Sequence, residues 1–357
     1  MSDNPKDAEE KMAKAIFISG DGWLCVFDLL PPSQLGLGIA LISHRFDFYV
    51  DEHFKTRKWA LKFIRIRSKI GENGTSEMEI TNDNRKPMPI PQIQMPRKVI
   101  GFDWIIISFI DRNVITFLRH FRQLFAACPI NLTIEADNDR ISELILHNIW
   151  PMLGTNFCAM ALSAGIFHRL RQNVPSILND CPSLRCVLVF GDLFTELPAD
   201  DSAAASDGQA VAKWLFTALP DNVPKMFNCW VYTDDGNWPS RITAFKAAFA
   251  SASSPVNFII VFWFLLSFVD SVVPFDQTNE LTREQLALKR TDNSGRFLLI
   301  RCPIARDESK WTNWEEEAIG WQIYDQRNRI DIEINREDKI GDGLLDATPA
   351  PSDQQKK

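Results

Sequence analysis

The chain lacks most of the patterns by which a sequence declares bond chemistry. Its 357 residues contain no Gly-x-x-x-x-Gly-Lys-Ser/Thr phosphate loop, no Gly-x-Ser-x-Gly elbow and no His-Glu-x-x-His pair. Gly36-x-Gly38 lies within a helical pattern rather than after a strand, so it is no dinucleotide fingerprint. The five histidines (His44, His53, His120, His147, His168) each stand alone on a helical pattern. Seven cysteines are scattered without a Cys-x-x-Cys pair or a Cys/His zinc spacing, which leaves no metal or cofactor to expect. No dense Lys/Arg run offsets a net charge of −7, which argues against nucleic acid or an anionic membrane as a partner. The longest apolar run, Phe258–Val269, is twelve residues, well short of the roughly 20 that a spanning helix needs. It reads instead as a buried strand running into a core helix. The charged N-terminus has no apolar h-region, so no signal peptide is expected. With an odd number of cysteines set in apolar runs, free thiols and a cytoplasmic or nuclear location follow as expectations.

What the chain does contain is apolar pattern, at 45% of its residues. After a β-like region over 60–97 (LKFIRIRS, SEMEIT and a Pro-rich run), one apolar strand recurs: DWIIISF (103–109), INLTIEA (130–136), CAMALSAG (158–165), RCVLVFG (185–191), FNCWVYT (227–233), VNFIIVFW (256–263) and RFLLIRCP (296–303). The starts are separated by 27, 28, 27, 42, 29 and 40 residues, and both long gaps hold an insertion. Helical stripes fill the spaces: Val114/Phe117/Leu118/Phe121, Ile141/Leu144/Ile145/Ile149, Phe167/Leu170/Val174/Ile177, Val211/Trp214/Leu215 and Ile242/Phe245/Phe249. Strand–helix alternation at a period near 28 predicts an α/β fold, a leucine-rich-repeat-like array of parallel strands with helical crossovers. A doubly wound α/β sheet is the alternative. Trp311, Trp314 and Trp321 read as an aromatic stripe capping the array.

The segment Trp23–Phe46, WLCVFDLLPPSQLGLGIALISHRF, describes two or three very short helices. Trp23, Phe27 and Leu30 fall on one helical face and Leu35, Ile39 and Ile42 on another, with Pro31-Pro32 breaking the chain between them. About 25 residues cannot enclose so much apolar surface alone, which implies a partner. The run resembles an F-box: Trp23-Leu24, Val26-Phe27, Leu30, Pro32, Leu35 and the closing Ile42-Ser43-His44-Arg45-Phe46 carry the likeness. It departs at the front, where Ile18-Ser19-Gly20-Asp21-Gly22 stands in place of the usual Leu-Pro-x-Glu opening. SHRFDFYVDEHFKTRKW and RFLLIRCPIARDESKW also resemble a large, divergent set of nematode-type F-box proteins.

The resemblance implies that Trp23, Leu24, Phe27, Leu30, Pro32, Leu35, Ile39 and Ile42 dock on a Skp-type adaptor and so on a cullin ubiquitin ligase. The expected organisation is a polar tail over 1–14, an F-box over 15–59, a repeat-like α/β substrate-recognition domain over 60–335 and a polar tail over 336–357. The chain is then a non-catalytic adaptor; the alternative is a stand-alone repeat-type binding or inhibitor module. Taking Leu132/Ile134, Val187/Val189 and Trp230/Tyr232 as helix-facing puts Thr133, Glu135, Leu188, Phe190, Val231 and Thr233 on the opposite face. That row leads into Asp192, Asp234, Asp235 and Trp238, and predicts a target segment with an apolar anchor and a basic flank.

Overall fold

A computed structural model describes residues 18–344 except 32–33, 56–58, 70–73, 82–86, 93–98, 137, 232–237, 266, 268, 292–294, 321–325 and 342. The chain divides into two compact units, Met1–Trp59 with Pro96–Val99, and Ala60–Met95 with Ile100–Lys357.

In the first unit, α1 (Gly20–Phe27) starts at Ser19, whose hydroxyl accepts from the Gly22 amide, and α2 (His44–Phe54) starts at Ser43, which accepts from Phe46. A π-helical turn over Leu35–Ile39 lies between them. Aromatic rings join the two helices: Trp23 meets Phe46 edge-on at 4.8 Å, and Phe27 meets His53 edge-on at 5.9 Å.

The second unit is built on one sheet of thirteen strands. Strands β1 (Trp59–Ser68), β2 (Ser76–Thr81) and β3 (Met88–Pro89) form an antiparallel edge. Next come β4 (Val99–Ile107), β5 (Ile130–Ala136), β6 (Phe157–Ser163), β7 (Cys186–Asp192), β8 (Lys225–Val231) and β9 (Phe258–Phe264). The hairpin β10 (Phe275–Asn279) and β11 (Glu284–Arg290), then β12 (Arg296–Pro303) and β13 (Arg329–Ile334), complete it. The spatial order is β10-β11-β12-β9-β8-β7-β6-β5-β13-β4-β1-β2-β3.

From β5 to β9 each strand lies parallel beside the one before it in sequence. The order never reverses there, so this run has no topological switch point of the doubly wound kind. Four of its connecting helices are α4 (Asp139–Asn148), α6 (Ala164–Asn173), α7 (Asp207–Leu215) and α8 (Trp238–Ala250). Right-handed crossovers that always step the same way place their helices on one face. Ring contacts confirm this for α8, since Phe245 meets Phe258 and Trp238 meets Phe262, both on the inward side of β9. Two further helices, α3 (Arg112–Ala127) and the short α5 (Trp150–Leu153), follow β4 and α4. The predicted stripe residues Val114, Phe117, Ile141, Leu144, Phe167, Leu170, Val211 and Trp214 are all buried.

The opposite face is covered only in part. Helix α9 (Glu308–Gly320) packs Trp311 and Ala318 on Ala159, Cys186, Met226, Ile259 and Ile300, near the amino ends of the parallel strands. Arg185 clamps it there, both Nη atoms donating to Glu317 at 2.9 Å. The aromatic stripe read as a terminal cap is thus a lid across one face, while Trp321 lies outside the described residues.

Three expectations need correction. RFLLIRCP is not a further parallel repeat: β12 runs antiparallel to β9, because the insertion before it folds into the β10–β11 hairpin and returns the chain. The apolar run at Phe258 is strand only to Phe264, and a single 3₁₀ turn over Val269–Ser271 stands where a core helix was expected. Finally, β13 was not anticipated at all, and it inserts in parallel between β4 and β5. No helix among the described residues is long and apolar enough to cross a membrane.

A buried ion pair secures the β11–β12 end. Arg301 and Glu284 are 2% and 1% exposed; Arg301 also donates to the Ser254 carbonyl, and Glu284 accepts from the Val256 amide. Glu284→Ala would leave the guanidinium buried and uncompensated, so we expect a loss of about 3–5 kcal/mol, measured by urea unfolding. Lys225 has the opposite problem. Burial pushes its ammonium down to about 8, although it donates to the Trp214 carbonyl. Between pH 8 and its ordinary value the unfolded chain binds more protons than the folded one, so this group makes stability rise with pH there. The buried thiols act in the opposite sense above about pH 9, so the measurement is a difference: in thermal melts from pH 7.5 to 10 the wild type should gain stability relative to Lys225→Met as pH rises.

Candidate functional sites

Toward the carboxyl ends of the parallel strands the sheet face that carries α9 is exposed in part, beyond a buried middle row that includes Thr133, Asn228 and Val261. Strand alternation and pairing set its members. Ser163 pairs with Phe190, Leu188 with Asn228, and Trp230 with Trp263, which pairs in turn with Arg296. Trp230 and Trp263 stack at 5.1 Å with 24° between their planes, and the Arg296 guanidinium lies 5.0 Å from the Trp263 ring centre. Both tryptophans are half-buried, and Phe190 is 37% exposed. Farther along the same face, Glu135 pairs with Glu333 and both are exposed. The sheet thus carries aromatic surface at one end of a row and two carboxylates at the other.

A β-bulge lies at Phe190. The register jumps from Val189↔Cys229 to Asp192↔Trp230, so Phe190 and Gly191 on β7 bulge out opposite a single step of β8. Gly191 has φ +134°, and a Cβ there would lie 3.0 Å from the Ala164 Cβ, which is why glycine occupies this turn of the strand.

The sequence-predicted row is brought together only in part. Glu135, Leu188 and Phe190 lie on the partly open face, and Thr133 shares that side but is 4% exposed. Val231 is 4% exposed and alternates with Phe227 and Cys229 on the helix-packed side, whereas Trp230 faces the other way. The expectation was out of phase by one residue on β8, because Trp230 was taken as the core aromatic. Cys229, small and fully buried, holds that core position opposite Val189. Trp238 is 6% exposed, with its ring edge-on to Phe264 at 4.7 Å, so it is a core residue of α8. Thr233, Asp234 and Asp235 lie outside the described residues, as does the Asp192 side chain. The Trp230–Trp263 stack was missed, although WVY and FWF place a tryptophan in each of two adjacent strands.

In the N-terminal unit, Phe27 and Leu35 are 0% and 1% exposed, so these two are interior residues rather than contacts. Trp23, Leu24, Leu30 and Ile39 are half-buried, and Pro32 lies outside the described residues. Ile42 is 62% exposed, and it is joined by Leu29 at 83%, Phe48 at 57% and Val26 at 39%, of which Leu29 and Phe48 were not singled out. Their signal was present in sequence: Leu29 follows the helical stripe by two positions, off the inward face.

Elsewhere, clefts of about 270 and 340 Å³ sit at Leu219–Asn222 with Pro255, and at Thr195–Leu197 with Arg241, and neither adjoins these residues. Among the described residues no three His, Cys, Asp or Glu side chains are grouped to hold a metal ion. Compared with known proteins, the chain matches no family model, no curated protein and no solved structure.

All seven cysteines are free thiols, and burial pushes Cys128 up to about 11 and Cys181 and Cys186 up to about 12. Only Cys25 is exposed. Iodoacetamide on the native chain should therefore modify Cys25 first and the half-buried Cys158 more slowly, with the five buried thiols reacting only after denaturation; peptide mass spectrometry reads the order.

Proposed function

We propose that the chain is the substrate-recognition subunit of a Skp/cullin/F-box ubiquitin ligase, acting in the cytoplasm or nucleus. On this reading, the F-box over residues 15–59 docks on the Skp-type adaptor and the sheet unit, with its leucine-rich-repeat-like run of strands, holds the target. Such a subunit makes and breaks no bonds; it raises the effective concentration of a target lysine near the ligase. The observation that carries the reading is the apolar exposure of the short-helix unit, where Val26, Leu29, Ile42 and Phe48 all remain open to water. Large apolar side chains concentrated in so few residues mark a surface made to be covered, and the F-box-like spacing of Trp23–Phe46 names what covers it.

The buried residues are the wrong ones to probe. Leu35→Asp would place a charge in the interior and unfold the unit whatever its role. Leu29→Asp with Ile42→Asp alters exposed positions only. The double variant should keep the melting temperature of the wild type and lose co-purification with a co-expressed Skp-type adaptor. Retained adaptor binding, or none by the wild type, would sink the ligase reading and leave the stand-alone binding module.

A further inference from the structure

The open part of the sheet face offers one ligand chemistry along one direction. Leu188, Phe190, Trp230 and Trp263, the last packed in part against the cluster under α9, supply apolar and aromatic surface from three adjacent strands, and Glu135 and Glu333 supply two carboxylates from two others. The strands are spaced at about 4.8 Å. From β5, which carries Glu135, it is two spacings to β7 and three to β8, or about 10–14 Å. An extended peptide advances about 3.3 Å per residue, so that distance is three to four residues of a chain lying across the strands. The full row from β13 to β9 covers five spacings, about 24 Å, or about seven residues.

The geometry points to an extended peptide of the target protein as the occupant. Its lysine or arginine would pair with Glu135 and Glu333, and a large apolar or aromatic side chain three to four residues away would rest on Phe190 and Trp230. Charge complementarity selects this class over an acidic segment, which the adjacent carboxylates would repel. The spacing distinguishes it from a purely hydrophobic anchor. The bulge over Phe190 and Gly191 falls between the pairs Val189–Cys229 and Asp192–Trp230, so the anchor site lies where the β7–β8 register shifts. This inference rests on the target-binding role proposed above and states what that role recognises.

The test is selection of a random dodecapeptide display library on the full-length chain, followed by fluorescence-anisotropy titration of the enriched peptides. Enriched sequences should carry Lys or Arg three to four residues from Trp, Phe, Leu or Met. Glu135→Lys with Glu333→Lys, both at exposed positions, should weaken those peptides at least about tenfold and, on reselection, favour acidic ones. Trp230→Ala should weaken them too, and Phe190→Ser, at an exposed position, should do so without altering the thermal melt, which keeps the test valid if Trp230→Ala does not fold. The Leu29→Asp/Ile42→Asp variant should bind the peptides as the wild type does, so failure of the adaptor reading and failure of this one register in different assays. No enrichment, an enriched motif without a basic residue, binding indifferent to the charge reversal, or binding of a glycan array in place of peptides would each overturn the inference.

Discussion

Parallel strands can be joined only by crossovers, and crossovers that always step the same way put their helices on the same side of the sheet. Between β5 and β9 that constraint governs everything else. One face is covered by the chain's own connections as a matter of topology, with Phe258, Phe262, Val189 and Cys229 under the helices. The other receives no connection from the run and must be covered by something else or remain wet. Helix α9 is the chain's answer for the amino-terminal half of that face, pinned by Arg185 and Glu317 and packed through Trp311. The carboxyl-terminal half is where the aromatic row and the two carboxylates are found. A parallel sheet is ordinarily covered on both faces, and here the second face keeps Phe190, Glu135 and Glu333 exposed toward the carboxyl ends of the strands.

The ion pairs follow from the same layout. Where the regular run stops, at β12 and at β13, polar residues enter the sheet and have to be compensated. Arg301 and Glu284 do so at one end; Arg329 and Asp331 do so at the other, each about 1% exposed, with the Trp104 indole donating to Asp331 at 2.8 Å. Such pairs add little net stability over apolar substitutes. They cost a great deal when one member is lost, because the other is then left charged and buried.

Much of the fold was legible from periodicity. INLTIEA, SEMEIT and RFLLIRCP coincide with β5, β2 and β12, and the helical stripes fall in α3, α4, α6, α7 and α8, except that Ile149 caps α4 and Val174 and Ile177 lie past the end of α6, which stops at Asn173. Direction was not legible, since an apolar strand reads alike whether it runs parallel or antiparallel to its neighbour; hence the error at β12. RIDIEI does alternate, with Ile330, Ile332 and Ile334 buried. Arg329 and Asp331 disguise it as surface, because only the fold reveals that they neutralise each other. The site was half legible. Phe190 and Glu135 were placed by simple alternation, but on β8 the larger aromatic was assigned to the core, and the bulge at Gly191 has no signature that periodicity detects.

The position of β13 carries a further consequence for how the chain reaches its native state. Repeat arrays are able to grow outward from any unit as it leaves the ribosome. Here the strand between β4 and β5 is supplied by residues 329–334, more than two hundred residues after β4. Until that segment is synthesised, β4 and β5 each lack a neighbour on one side and present unpaired edges of the kind that invite association with other chains. The strand that fills this gap is the last of the thirteen in chain order, so both edges stay open while every strand from β5 to β12 is made.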